Sequence, residues 1–206
     1  MRGVGRRTAI GALLAALAAA LACSFSQPVP RPARYVLAAE RSGAPLPGGA
    51  GVLEMGRVRV ASPFERQRFI YRTAEASFES DFYRQFESPP GVLLREATRA
   101  WLAASGLFTA VLDGGGEVAP DWWLEAEVQS LYADLRRGTT PSAVLGVEFR
   151  LLDARSRAPA VAFQRRYEES VAAASPQPEA LVAAWSELLA RVLAALETDL
   201  RGAVRR

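Results

Sequence analysis

Apolar positions recur along this chain with two different spacings, and the switches between them mark its elements. A short extended segment at Arg34-Tyr35-Val36-Leu37 comes first, followed by a Gly/Pro-rich loop from Ser42 to Gly51. Across Val52 to Ala61 the apolar phase changes at Gly56, where Leu53 and Met55 give way to Val58 and Val60. That change predicts a bulge or a late strand start. Phe69-Ile70-Tyr71-Arg72 predicts a short strand, and Phe78, Phe82 and Phe86, all at even positions between Ser77 and Glu87, predict another with a single apolar face.

Ser88-Pro89-Pro90 then reads as a helix start, with Ser88 able to cap and proline tolerated in the first turn. The helix runs to about Ser105, with Leu93, Leu94, Ala97, Trp101 and Ala104 on one face and Gly106 placed to stop it in a left-handed conformation. A strand from Phe108 to Leu112 and a turn at Gly114-Gly115-Gly116 follow. Three long strands come next. Trp122, Leu124, Ala126 and Val128 line one face of the first, and Ala143, Leu145, Val147, Phe149 and Leu151 one face of the second. Val161 and Phe163 are expected inward in the third, before Tyr167. Their short connections require antiparallel neighbours.

The chain ends in a helix from about Pro178 to Arg201, carrying a stripe of Leu181, Trp185, Leu188, Leu189, Val192, Leu196 and Leu200. Glu187 with Arg191, and Glu197 with Arg201, have the favourable i,i+4 order. Together these elements predict an α+β fold: a two-layer sandwich whose mostly antiparallel sheet carries two helices on one face.

The N-terminal stretch stands apart from that pattern. Residues 1–22 read as a signal, because Arg2, Arg6 and Arg7 precede an uncharged run from Thr8 to Ala22 that is short for a bilayer span. It ends at Cys23, the single cysteine of the chain, and Ala20-Leu21-Ala22-Cys23 resembles the lipobox of bacterial lipoproteins. The resemblance implies a diacylglycerol and an N-acyl chain on Cys23, and hence a membrane anchor. Several acyl chains at about 0.8 kcal/mol per buried methylene hold a soluble domain firmly on a bilayer. Residues 23–33, rich in proline, read as an extended tether able to reach roughly 30 Å, and residues 34–206 as a single domain.

Charge then narrows the function. All 25 basic residues are arginines, and removal of the three in the signal leaves 22 against 22 acids, so nothing marks the domain as a nucleic-acid binder. The chain has no histidine and no lysine, which removes Ser-His-Asp and Schiff-base chemistry and most zinc sites. Glu125 and Glu127 project from the same side of one strand, roughly 7 Å apart. Alternating acids are the ordinary pattern of a wet strand face, and no residue is assigned a catalytic or metal-binding role. Rings beside arginines are enriched at protein interfaces, so Tyr71, Arg72, Tyr83 and Arg84 are the candidate partner-binding residues.

The order of features resembles that of the ABC-type transport auxiliary lipoproteins, the PqiC-like family that accompanies MCE-type lipid transport systems. The resemblance covers about Arg34 to Leu200. It rests on Tyr35-Val36-Leu37, Val58-Arg59-Val60-Ala61-Ser62-Pro63-Phe64, Ile70-Tyr71-Arg72, Phe82-Tyr83-Arg84-Gln85-Phe86 running into Pro89-Pro90, and Gly106-Leu107-Phe108. Phe86 stands where the family often has tryptophan and keeps an aromatic anchor there. The resemblance implies a non-catalytic accessory, without a cofactor beyond its own lipid, that engages an MCE-domain protein from the periplasmic face of a membrane. Ser24 after the cysteine points to the outer rather than the inner membrane. A structural role in outer-membrane assembly or lipopolysaccharide export is the alternative, and the oligomeric state, homo-oligomer included, stays open.

Overall fold

The computed structural model of the chain describes residues 31–47, 49–114 and 118–205. The expected signal, Cys23, most of the tether, and Gly115 and Gly116 of the expected turn lie outside the described residues. Within them the elements follow in the order β1 (Ala33–Tyr35), β2 (Val52–Val60), β3 (Arg68–Ala74), β4 (Ser77–Phe86), α1 (Pro90–Ser105), β5 (Ala110–Leu112), β6 (Trp122–Asp134), β7 (Ser142–Asp153), β8 (Ala160–Ala172) and α2 (Pro178–Ala203). The α+β expectation holds: eight strands form one mixed sheet, and both helices pack against it. Among the described residues no helix is long and apolar enough to cross a membrane.

β6 organises the sheet. Along one edge it pairs antiparallel with β7 from Trp122 to Asp134, and β7 pairs antiparallel with β8. Its other edge is divided. β2 lies parallel to the first half, Leu53 to Val60 against Trp122 to Val128, and β3 lies parallel to the end, Tyr71 and Arg72 against Ala133 and Asp134. β2 and β3 therefore run end to end along one neighbour, joined by a 3-10 turn at Ser62–Phe64. β5 extends the β2 branch, and β4 then β1 extend the β3 branch. The register of β2 on β6 shifts between Met55 and Val58, at the phase change around Gly56.

Alternation decides which face is dry. On β7, Ala143, Leu145, Val147, Phe149 and Leu151 are all buried, and on β6 so are Trp122, Leu124, Ala126 and Val128. The whole predicted stripe of α2 is buried over them. Trp185 packs against Phe69 and Phe86, with ring centroids 5.0 and 5.4 Å away, and these two rings are 4.6 Å apart. The aromatic anchor at Phe86 is thus real. Each such buried side chain contributes about 1.5–3 kcal/mol, so α2 is integral to the domain.

Several local expectations need correction. β1 ends at Tyr35, and Val36 is 61% exposed. Ser88 does not cap α1: Pro89 occupies the cap position, no side chain bonds there, and proline itself presets the first turn. The buried face of α1 is rotated towards Thr98, Leu102 and Ser105, leaving Ala104 exposed. Gly106 does end the helix, at φ 68°. Phe78 and Phe82 are half exposed, and only Phe86 of that series reaches the core. Val161 is 55% exposed, because the register of β8 on β7 shifts between Leu151 and Leu152 and turns it away from the face that Tyr167 keeps. Glu187 pairs with Arg191 as expected, whereas Glu197 bonds Arg41 and Trp101.

Candidate functional site

The candidate surface forms where β4 departs from β3. Ile70 pairs with Ser80 and Arg68 with Gln85, so residues 81–84 of β4 face only Phe69 across the ladder. The surplus loops outward, and Asp81 holds it. Its Oδ1 accepts the backbone N–H groups of Tyr83 (2.8 Å) and Arg84 (3.1 Å), the local bonding through which an aspartate replaces a ladder with a turn. Its Oδ2 accepts the Tyr71 hydroxyl at 3.0 Å and Arg84 Nη1 at 3.2 Å. Burial pushes the Asp81 carboxyl upwards, but these donors outweigh it and hold the group below the usual carboxylate range. The Tyr71 hydroxyl is raised well above its ordinary value, first by burial and then by its bond to Asp81.

This turn presents Phe82 and Tyr83 at its apex, 50% and 45% exposed, with their rings edge to face at 5.3 Å. The Arg68 guanidinium lies 5.0 Å from the Phe82 ring centroid, and Gln85 Nε2 donates to the Phe82 carbonyl at 2.9 Å. Two rings on a braced turn, flanked by Arg68 and Arg84, are suited to contact with another protein.

Of the four residues singled out in the sequence, Tyr71, Tyr83 and Arg84 come together around Asp81. Arg72 does not. It donates to the Glu75 carbonyl and carboxylate at 2.8 and 2.9 Å, and lies 5.9 Å from the Phe78 ring. Tyr71 is committed to Asp81 and shapes the turn, whereas Tyr83 and Arg84 reach solvent. Phe82, read as a core position, is the residue that sequence reasoning missed. An aspartate just before it, in a run otherwise suited to a strand, was the available signal.

Glu125 and Glu127 do share the outer sheet face. There Glu125 meets Arg150 at 3.6 Å, Arg150 meets Glu148 at 3.4 Å, and Glu127 meets Arg59 at 3.4 Å, around a shallow groove of about 380 Å³. The arrangement is a cross-strand ion-pair ladder. Among the described residues no group of three or more Cys, Asp or Glu residues is placed to hold a metal ion.

Comparison with known proteins agrees with this architecture. The family model described as ABC-type transport auxiliary lipoprotein component matches residues 35–197. No curated protein matches the chain. Among solved structures, protein XCC0632 from Xanthomonas campestris is 18% identical, with a TM-score of 0.68 over 80% of this chain and 92% of that one. The hypothetical protein CT253 from Chlamydia trachomatis is 13% identical, with a TM-score of 0.52 over 75% of this chain and 97% of its own. At these identities the likeness is one of fold.

Proposed function

The chain belongs to the ABC-type transport auxiliary lipoprotein component family, and from that membership we propose that it is a non-catalytic adaptor, held by acyl chains on Cys23 at the periplasmic face of the outer membrane, which engages the MCE-domain protein of a lipid transporter. The family match over 35–197 carries the reading, since it spans nearly all of the folded domain. The contact surface is the turn at the apex of β4, with Phe82 and Tyr83 as anchors, Arg68 and Arg84 as the charged rim, and Tyr71 as a brace through Asp81. Arg72 serves the strand end.

The test is co-purification of the full membrane-extracted chain with the MCE-domain protein encoded in its own gene neighbourhood. Phe82→Ala with Tyr83→Ala should reduce capture at least about tenfold, a loss of roughly 1.4 kcal/mol at an interface anchor. The melting temperature should barely change, because both rings are half exposed. Cys23→Ala should release the chain from the membrane. Absence of any MCE-domain protein beside the intact, lipidated chain refutes the proposal.

A further inference from the structure

β8 closes one side of the sheet. It pairs with β7 continuously from Phe163 to Ala172, and among the described residues no strand lies along its second edge. A long open edge is a template for another strand, and proteins usually blunt it with a bulge, a proline or charges of one kind. Here the charges have a particular order. Arg165 and Arg166 precede Tyr167, and Glu168 and Glu169 follow it.

That order is self-complementary for an antiparallel pair. If two copies of β8 cross at Tyr167, Arg166 of one faces Glu168 of the other, Arg165 faces Glu169, and Gln164 faces Ser170. Sliding the register by two residues places Arg166 against Arg166 in one direction and Glu168 against Glu168 in the other. Opposite charges directly across a ladder stabilise it, and like charges destabilise it, so the sequence selects a single register.

The backbone agrees with that register. The Ala173 N–H donates to the Pro141 carbonyl at 2.7 Å, which directs residue 173 towards the β7 side. By alternation the N–H and C=O groups of Val171, Glu169, Tyr167 and Arg165 face β7, and those of Gln164, Arg166, Glu168 and Ser170 face the open edge. The edge-facing residues are the ones that the Tyr167-centred crossing makes hydrogen-bonded pairs. The side chains are available too: those of Arg166 and Glu168 are 50% and 62% exposed, and their mutual contact within one chain, 2.8 Å, bridges neighbouring outward positions.

We infer that the open edge of β8 pairs with β8 of a second copy of this chain, about a two-fold axis through Tyr167, and so fuses two sheets into one. The contact is isologous and closes at two copies. It needs neither the lipid nor the transporter, and stands or falls separately from the adaptor function.

Sedimentation equilibrium of the lipidated chain in density-matched detergent tests it, with twice the mass of one processed chain, residues 23–206 with its lipid, expected for the wild type. Arg166→Glu leaves only acids at the two crossing positions, and Glu168→Arg leaves only bases. Each variant alone should dimerise about tenfold more weakly, and an equimolar mixture should recover the wild-type mass as a mixed pair. Recovery also shows that both variants are folded. A wild type that stays at its single mass, an assembly indifferent to both substitutions, or a mixture that regains nothing overturns the inference.

Discussion

Glu197 joins three segments that are distant in sequence. Its carboxylate accepts Arg41 Nε and Nη2 at 2.8 and 2.9 Å, from the loop before β2, and Trp101 Nε1 at 2.8 Å, from α1. The side chains of Arg41 and Glu197 are only 10% and 14% exposed, so water screens the pair little. Removing one partner strands the other. Glu197→Ala leaves the Arg41 guanidinium without its counter-charge, bonded only to the Gly43 and Ala44 carbonyls, and the Trp101 indole N–H without an acceptor, and should cost about 3 kcal/mol in urea unfolding. Arg191→Ala, which breaks an exposed i,i+4 pair with Glu187, should cost no more than about 0.5 kcal/mol by the same measurement.

The C-terminus of α1 shows how one backbone conformation seats a loop. Gly106 is left-handed, and a Cβ there would lie 2.5 Å from the Leu46 carbonyl oxygen, in the segment that the Leu46 N–H fastens to Ser105 at 2.7 Å. Gly106→Ala therefore meets both an unfavourable φ and a rigid neighbour, and should lower stability by about 2 kcal/mol in thermal unfolding, more than an open left-handed cap would cost. Gly106 was legible in the sequence because it directly follows a helical stripe. α2, β6 and β7 were legible because their periods persist over many residues. β4 was not, since the even spacing of its phenylalanines conceals the turn that Asp81 makes by taking two backbone N–H groups, and that turn sends Phe82 outward. The aromatic and arginine composition near Tyr83 and Arg84 marked this stretch as a candidate surface, but their meeting with Tyr71 depends on a carboxylate whose bonds no spacing reveals. The sharing of the β6 edge by β2 and β3 was likewise hidden, because strand pairing is non-local and leaves no periodic trace.

Over the whole domain, titratable groups divide the pH scale into three ranges. Bonds from Arg41 lower the Glu197 carboxyl, bonds from Arg136 lower that of Asp134, and Asp81 is lowered by its donors against the opposing effect of burial. Their folded values lie below their unfolded ones, so their stabilisation is complete above about pH 4 and is lost as pH falls through the folded values. Tyr71 and Tyr167 are raised, chiefly by burial and then by bonds to Asp81 and Asp199, so their stabilisation holds below about pH 10 and is lost as pH rises towards the folded values. The chain has no histidine, and among the described residues no side-chain type has its ordinary pKa between these limits. The melting temperature should be flat from about pH 6 to 8 and fall on either side of the outer limits; a pronounced slope inside the plateau would contradict this account. The position of β6 governs something else, the order of assembly. Both strands on its divided flank precede it in the chain, while β7 follows it. A growing polypeptide holds β2 and β3 without their template until Trp122 to Asp134 have been made, and the pairings among the earlier strands, β1–β4–β3 and β2–β5, form two separate groups that only β6 joins. Assembly of the whole sheet therefore waits until Asp134 has been made: the middle of the chain gathers strands made before it, and a message broken before β6 yields strand groups with nothing to join them.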